Sequence, residues 1–361
     1  MNRIELLRSK MAAEEIDALV VSSELNQSYI SGLDYTDGYV VILRDRAVVF
    51  ADFRYIEVAN MTVDKAVFDV IMPDTGMLTA VCNLLADAGV KKVAFEETAL
   101  NVADYLKLRG GIDKAVELAP VGSALLLGLR EVKDEGELDT VARAQDITDR
   151  AFAHILTVIK PDMTERELAL ELEYTMRRMG ADAMAFDIIA VSGSASSLPH
   201  GVPRDCKLER GFLTMDFGAK VGGYCSDMTR TVVIGKADEE MKKLYNTVLS
   251  AQQAALEFIR AGVTGREADK IARDIIDAVP EFKGCFGHSL GHGVGRFIHE
   301  APRLASSAVA DKKLVSGNIV TVEPGIYLAG KYGCRIEDMV AVTETGIRNF
   351  TKSPKELIEL Y

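Results

Sequence analysis

Four carboxylates stand within apolar, strand-like segments in the second half of this chain. Asp216 and Asp227 flank a glycine-containing turn, and Glu323 and Glu337 each interrupt a run of apolar residues. Burying a carboxylate without a compensating cation costs free energy. A fold that buries these groups must therefore supply a cation or a proton beside them.

The segments that carry Asp216 and Asp227 are predicted to form a hairpin. A two-residue turn at Val221-Gly222 would set Asp216 opposite Asp227, with their Cβ atoms about 4.5–5.5 Å apart on one face. A register shifted by two residues would leave them diagonal neighbours on that face. Carboxylates so close repel each other unless a cation or proton lies between them. The hairpin therefore indicates a cation site, with two solvated aspartates at a hairpin edge as the alternative.

Histidines are concentrated in one glycine-rich segment near residue 290. His288, His292 and His299 lie close together there, and His200 precedes them. A lone histidine is more often a satisfied core or surface residue, but glycines let the backbone bend closely around a ligand. The segment lacks the strand–turn–helix framework of a dinucleotide loop.

Carboxylates together with an imidazole suit two divalent ions such as Mn²⁺, Co²⁺ or Zn²⁺. A structural zinc site would instead be expected to use cysteines, and the cysteines here are dispersed. For Glu337 the alternative is a structural salt bridge to Arg335.

The length of 361 residues predicts two domains. Residues 1–122 alternate between helical and strand-like segments, which indicates a small α/β domain, and residues 123–361 form the rest. In the first domain we expect helices over 2–15 and 78–88, strands over 18–21 and 92–95, and a hairpin of 39–43 with 47–50. In the second we expect strands over 212–217, 224–234, 319–322, 325–328 and 336–342.

Two capping-box patterns, T-x-x-E, predict helix starts in the second domain. One is Thr164 with Glu167 and the other is Thr264 with Glu267. Each follows an apolar helical segment of similar length. The repetition favours an internal duplication.

Composition excludes several classes of function. The formal net charge of −12 argues against nucleic-acid binding, which depends on neutralising phosphates. No apolar run approaches the roughly 18–20 residues that span a membrane, and the first residues lack the features of a signal peptide. Five cysteines without a C-x-x-C pair fit reduced thiols. A soluble, cytoplasmic protein is expected.

Taken in order, the segments of the second domain resemble those of the pita-bread metallopeptidases, the family of aminopeptidase P, prolidase and methionine aminopeptidase. The resemblance is carried by His200-Gly201, Asp216, Asp227, His288-x-x-x-His292, His299-Glu300, Glu323-Pro324-Gly325 and Arg335-Ile336-Glu337-Asp338. It implies an α+β protein with a carboxyl-terminal pita-bread catalytic domain.

The first domain resembles the creatinase-type α/β domain of the proline-specific members, through residues 29–32 and 51–55. Methionine aminopeptidases generally lack that domain. Creatinase shares the fold but lacks the metal ligands. The resemblance therefore favours a metal-dependent Xaa-Pro peptidase.

The resemblance also implies a set of metal ligands. Asp227 and Glu337 would bridge two divalent ions, most plausibly Mn²⁺. Asp216 would complete one ion, and His292 with Glu323 the other. Water shared by two such ions is acidified and becomes a nucleophile near neutral pH.

Further roles follow from the resemblance. His299 would stabilise the oxyanion, Glu323 would pass a proton to the departing proline nitrogen, and His200 would assist. The other implied roles are substrate binding for His288, orientation of ligands and nucleophile for Arg335 and Tyr327, and contact with the proline carboxylate for Arg303.

Arg303 favours an Xaa-Pro dipeptidase, although it could equally be a surface charge. The alternatives are an aminopeptidase P that acts on longer peptides with proline in second position and a non-catalytic pita-bread binding module. Family members are commonly homodimers, so a homodimer is expected.

Overall fold

The computed structural model describes residues 3–160 and 162–361. The chain separates into two compact units, Met1–Arg130 and Glu131–Tyr361. Asn2, which the predicted first helix included, lies outside the described residues. None of the helices in the described part of the chain combines the length and apolarity needed to cross a membrane.

The first unit contains a six-stranded mixed sheet. Its strands are β1 Ala18–Val21, β2 Tyr39–Leu43, β3 Ala47–Phe50, β4 Asp69–Ile71, β5 Lys92–Phe95 and β6 Glu117–Ala119. Its helices are α1 Arg3–Ala13, α2 Glu24–Ser31, α3 Ile56–Thr62, α4 Met77–Asp87, α5 Val102–Gly111 and α6 Gly122–Arg130. The strand order is β4-β3-β2-β1-β5-β6. The predicted hairpin of β2 with β3 and the predicted strands β1 and β5 are confirmed.

Both faces of this sheet are buried, which explains why β1 is apolar at every position. Leu19 and Val21 pack into the core on one face, and Ala18 and Val20 pack into the core on the other. This division follows from the alternation of side chains along a strand.

The first unit ends one helix later than the sequence suggested. Helix α6 begins at Gly122, and its Leu126 and Leu129 are buried in the first unit's core. The units therefore divide between Arg130 and Glu131 rather than after residue 122.

The second unit is built on two pairs of helices and several small sheets. Its helices are α7 Glu135–Val158, α8 Glu165–Arg178, α9 Glu239–Phe258 and α10 Gly265–Asp277. Its strands are β7 Ala183–Met184, β8 Ile189–Ser192, β9 Gly211–Phe217, β10 Ala219–Val221, β11 Tyr224–Cys225, β12 Met228–Ile234, β13 Gly291–Gly293, β14 Glu300–Leu304, β15 Ile319–Val322, β16 Gly325–Leu328, β17 Tyr332–Arg335, β18 Asp338–Val342, β19 Ile347–Asn349 and β20 Glu359–Leu360.

Two of these sheets carry most of the unit's strands. The four-stranded sheet has the order β20-β12-β9-β8, and the five-stranded sheet has the order β14-β13-β15-β18-β19. Strands β7, β10 and β11 form a third sheet, and β16 pairs with β17. Short 3₁₀ turns occur at Gly193–Ser197, Pro280–Phe282 and Ala308–Ala310.

Both predicted capping boxes are confirmed. The Thr164 hydroxyl accepts a hydrogen bond from the Glu167 N–H while the Glu167 carboxylate accepts one from the Thr164 N–H, and Thr264 with Glu267 repeats this exchange. Each capping threonine also forms an isolated β-bridge, Thr164 to Lys207 and Thr264 to Lys313. These shared features support the predicted internal duplication.

The hairpin register differs from the predicted one by two residues. Asp216 stands opposite Thr229, and the turn consists of Gly222 and Gly223. Both glycines have positive φ, 55° and 81°. Two-residue hairpin turns of this type need positive φ at both central positions, which Val221 disfavours. The prediction that Asp216 lies directly opposite Asp227 is therefore wrong, and the shifted register is the one adopted.

Two predicted strands are also interrupted at carboxylates. Asp227 lies between β11 and β12, and Glu337 lies between β17 and β18. The predictions of continuous strands over 224–234 and 336–342 are wrong at these points. Because neither residue is part of a strand there, the side chains of Asp227 and Glu337 can turn toward other side chains.

We predict that Gly223→Ala destabilises the protein by about 1–2 kcal/mol, because an L side chain at positive φ clashes with its own backbone. An added Cβ would also lie 2.6 Å from the Arg296 guanidinium. Chemical denaturation measures the change in the free energy of unfolding.

Gly346→Ala is the matched control, since a Cβ there meets no atom within 4 Å and the backbone lacks positive φ. This control should leave stability nearly unchanged. Equal effects of the two substitutions would contradict the assignment of the turn to Gly222-Gly223.

Candidate metal centre

The five predicted ligands converge on one cavity in the second unit, although they come from five separate segments. The cavity has a volume of about 490 Å³ and is lined by all five. The segments are β9 for Asp216, the β11–β12 break for Asp227, β13 for His292, the residue after β15 for Glu323 and the β17–β18 break for Glu337.

Three of these residues already have the spacing of a metal site. Asp227, His292 and Glu337 each offer one ligand atom, and these atoms lie within 4.8 Å of one another. His292 Nε2 lies 3.5 Å from Asp227 Oδ2 and 3.4 Å from Glu323 Oε1. Asp216 is linked to Glu323 by Arg335. Arg335 Nη2 donates to Asp216 Oδ2 at 2.6 Å, and Arg335 Nε lies 3.9 Å from Glu323 Oε2.

Burial and mutual repulsion dominate the electrostatics of the carboxylates. Burial raises the pKa of Asp227 and of Glu337 well above their ordinary values, and neighbouring carboxylates raise both further. Burial also raises the pKa of Glu323 to about 8, with Arg335 opposing the rise and Asp216 adding to it. With a pKa of about 8, Glu323 holds a proton at neutral pH when no cation lies beside it.

His292 shows the opposite behaviour. Burial lowers its pKa to about 3, and the neighbouring His299 adds to the lowering. Its imidazole is therefore neutral at physiological pH. A neutral imidazole has a nitrogen lone pair free for a metal ion.

Two buried carboxylate oxygens test whether a cation fits here. Among the described residues, Asp216 Oδ1 and Glu337 Oε1 have no hydrogen-bond partner. A buried, unpartnered carboxylate oxygen is costly unless a cation compensates it. Four carboxylates and one imidazole form a donor set of hard and borderline ligands. The residues present therefore fit divalent metal ions.

The alternative explanation for Glu337 was a salt bridge to Arg335, but the ion pairs of Arg335 are made with other carboxylates. Its ion pairs go to Asp216 at 2.6 Å and to Glu323 at 3.9 Å. Glu337 instead accepts a hydrogen bond from the Thr229 hydroxyl at 2.7 Å.

A hydrogen-bonded chain connects Arg335 to His288. Arg335 Nη1 donates to the Tyr327 hydroxyl at 2.7 Å, and that hydroxyl lies 2.9 Å from His288 Nε2. Burial raises the pKa of Tyr327 to about 12 and lowers that of His288 to about 4. Both groups are therefore neutral hydrogen-bonding groups at physiological pH.

The remaining predicted residues line the cavity wall. His200, His299 and Arg303 all lie there. The His299 ring packs edge-to-face on His292, with centroids 4.4 Å apart. Burial and the charge of Arg303 lower the pKa of His299. Arg303 is held on β14, directly opposite His292 on β13.

Several contacting residues were missed by reasoning from the sequence. The Thr321 hydroxyl donates to Glu323 and accepts from the His292 N–H, and Thr229 binds Glu337. Each threonine lies two residues from a carboxylate ligand candidate, a spacing that places side chains on one strand face. That spacing was an available signal. Phe186, Ile188 and Ile298 form an apolar wall of the cavity, and no pattern in the sequence indicated that they lie there.

Comparisons with known proteins cover nearly the whole chain. Residues 139–344 match the model of metallopeptidase family M24, and residues 3–132 match that of the creatinase/prolidase N-terminal domain. An uncharacterized peptidase of Bacillus subtilis is 41% identical, over 99% of this chain and 100% of its own. An Xaa-Pro dipeptidase of Pyrococcus furiosus is 36% identical, over 99% of each chain.

Solved structures give similar results. The Xaa-Pro dipeptidase from Bacillus anthracis is 42% identical, with a TM-score of 0.94 over 99% of each chain. The X-Pro aminopeptidase from Thermotoga maritima is 35% identical, with a TM-score of 0.91 over 99% of this chain and 100% of its own.

We predict that the metal-free protein loses stability as the pH rises. The pKa of Glu323 is raised to about 8 in the folded state, so the folded state holds a proton that the unfolded state releases at lower pH. The stability linked to this proton is present at acidic pH and is lost as the pH approaches 8. Melting temperatures of chelator-treated protein, compared with those of Glu323→Gln, measure this effect.

The wild-type melting temperature should fall relative to that of Glu323→Gln between about pH 4.5, the ordinary pKa of a glutamate, and about pH 8. Glu257→Gln, at an exposed carboxylate on α9, is the control and should differ from the wild type by a constant amount. A constant difference for Glu323→Gln as well would contradict the raised pKa.

Proposed function

The chain belongs to metallopeptidase family M24, and from this premise we propose that it hydrolyses the peptide bond before proline, with Xaa-Pro dipeptides as preferred substrates. The observation that carries the proposal is the cavity in which five metal-ligand candidates face Arg303 and an apolar wall. Relatives named as Xaa-Pro dipeptidases support it.

The proposed centre holds two divalent metal ions, Mn²⁺ by preference because oxygen donors outnumber nitrogen. Asp216, Asp227, His292, Glu323 and Glu337 would hold these ions. Bound divalent ions polarise a carbonyl and acidify water, which supplies the nucleophile for hydrolysis.

The protein side chains supply the proton transfers. Glu323, which lines the cavity beside His292, would pass a proton to the departing proline nitrogen. His200 lies on the same cavity wall and can assist. His299, with a lowered pKa, remains neutral and can donate its N–H to the developing oxyanion.

Orientation depends on the Arg335–Tyr327–His288 chain. Arg335 holds Asp216 in place through a 2.6 Å hydrogen bond. Through Tyr327 the same guanidinium sets the orientation of the His288 ring on the substrate side of the cavity. Positioned hydrogen-bonding groups of this kind lower the cost of reaching the transition state.

Specificity for proline is proposed to rest on the apolar wall and Arg303. An Xaa-Pro bond has no amide N–H, so recognition must use shape instead. Phe186, Ile188 and Ile298 offer an apolar surface beside His299. Arg303, opposite His292 in the sheet, can pair with the carboxylate of a proline that ends the substrate.

A second candidate is an Xaa-Pro aminopeptidase that acts on longer peptides. The similarity to the X-Pro aminopeptidase from Thermotoga maritima favours it. In that case the Arg303 charge would have no terminal carboxylate to bind. A non-catalytic binding module is disfavoured, since the complete donor set lines the cavity.

We also propose a cytoplasmic location and a homodimer. All five cysteines are free, which fits a reducing compartment. The homodimer rests on the resemblance to the family. A net charge of −12 supports the absence of a nucleic-acid partner.

We predict that the Mn²⁺-loaded protein cleaves Ala-Pro more efficiently than Ala-Pro-Ala. Arg303→Ala should lower kcat/KM for Ala-Pro by about 30-fold to 150-fold, which corresponds to the loss of a charge-assisted hydrogen bond worth about 2–3 kcal/mol. The loss for Ala-Pro-Ala should be much smaller. Steady-state kinetics on both peptides measure these ratios.

Arg303→Lys keeps the positive charge but not the guanidinium geometry, so it should recover part of the kcat/KM that Arg303→Ala loses on Ala-Pro. Arg296→Ala, at an arginine that packs over the Tyr224 ring, should leave both substrates unaffected. Cleavage of only the longer peptide, or equal losses on both peptides, would reject the dipeptidase assignment. If the protein neither binds metal nor cleaves either peptide after Mn²⁺ addition, the proposal that it is a metal-dependent peptidase is wrong.

A further inference from the structure

A buried ion pair lies directly behind the proposed metal centre. Arg230 on β12 pairs with Asp338 on β18 at 2.8 Å, and their side chains are only 2% and 1% exposed. Arg230 is the largest fully buried side chain in the described part of the chain. It does not line the cavity, so it cannot contact the substrate.

Arg230 binds three stretches of backbone at once. Its Nη1 donates to the carbonyl oxygens of Thr229 and Glu337, and its Nη2 donates to that of Ser353 as well as to Asp338. Its Nε donates to Pro354 O at 3.0 Å. One guanidinium thus connects β12, the Glu337 backbone and the segment around residue 353.

Asp338 extends the same network on its other oxygen. Its Oδ2 accepts hydrogen bonds from Lys355 Nζ at 2.7 Å and from Asn349 Nδ2 at 2.8 Å. Both donors belong to the carboxyl-terminal segment, defined here as residues 349–355. This segment is therefore attached to the residue that directly follows Glu337.

The placement of Glu337 depends on this network because no β-ladder holds it. Glu337 lies in the break between β17 and β18, and β12 pairs with β9 and β20 instead. Its N–H donates to Thr229 O at 3.1 Å, and its carboxylate accepts from the Thr229 hydroxyl. Arg230 binds the carbonyls of both residues, so it sets the distance between them.

We propose that Arg230 and Asp338 are positioning residues for the metal centre, which tie the Glu337 carboxylate to the carboxyl-terminal segment. The inference rests on the proposed function, in which Glu337 would hold a metal ion. A buried ion pair contributes little net stability compared with apolar residues of similar volume. Its contribution here is geometric, since hydrogen-bonding partners that orient metal ligands set metal affinity.

The decisive variant is the double substitution Arg230→Met with Asp338→Leu in the full-length chain. Replacing both charges by apolar side chains avoids leaving one charge buried alone. Lys355 can turn outward, because its side chain is already 23% exposed. We expect a lower melting temperature, because four backbone carbonyls lose the Arg230 donor, together with Mn²⁺ affinity weaker by about 10-fold or more. Isothermal titration with Mn²⁺ alone measures the affinity.

Activity provides a second measurement. The kcat for Ala-Pro should fall at limiting Mn²⁺ and recover at high Mn²⁺, while KM changes little. A purely structural role for the pair would lower the melting temperature without moving the Mn²⁺ dependence of kcat. If the double variant fails to fold, Arg230→Lys is measured in its place, since lysine keeps the charge but cannot serve all five acceptors.

Arg204→Met is the matched control. Arg204 forms a bidentate ion pair with the buried Glu165 in the same unit, at 2.6 Å, and the Arg204 side chain is itself 38% exposed. This variant should lose stability and keep wild-type Mn²⁺ affinity.

Mn²⁺ affinity of the Arg230 variants within about twofold of the wild type would overturn the positioning role and leave the proposed function intact. The absence of Mn²⁺ binding by the wild type would overturn the proposed function itself. The two failures are therefore distinguishable.

Discussion

The repulsion among buried carboxylates is the constraint on which the rest of the second unit depends. Asp216, Asp227, Glu323 and Glu337 line one cavity of about 490 Å³, and burial raises the pKa of three of them. Arg335 offsets part of this charge, yet two carboxylate oxygens stay without a hydrogen-bond partner among the described residues. A divalent cation would offset the remainder, and its binding would then stabilise the folded state.

The scaffold around the cavity tolerates this repulsion by fixing each ligand from outside. Thr229 and Thr321 donate hydroxyl hydrogen bonds to Glu337 and Glu323. Behind Glu337, the Arg230–Asp338 pair joins two strands and the carboxyl-terminal segment. Glu337, a ligand candidate outside the β-ladders, is held by the side chain of Thr229, which is distant from it in sequence.

The sequence predicted the local structure best where the signal is short-range. The capping boxes at Thr164 and Thr264 and the hairpin of β2 with β3 depend on residues within a few positions of one another. The predicted register of the Asp216 hairpin was wrong by two residues. The sequence allowed the turn to form at Val221-Gly222 or at Gly222-Gly223, and the structure uses the two glycines, which both have positive φ. The break at Glu337 was missed for a different reason: its hydrogen bonds go to Thr229, more than one hundred positions away.

The sequence by itself determined which side chains form the candidate site: carboxylates in apolar strands and clustered histidines have few stable surroundings other than a cation site. It also determined the two-domain organisation and the family to which the chain belongs. Only the tertiary structure decided how these groups meet, because the contacts among Arg335, Asp216 and Tyr327, and between Arg230 and Asp338, join strands far apart in the chain. Residue types limit what a site can bind, whereas long-range packing decides which atoms face one another.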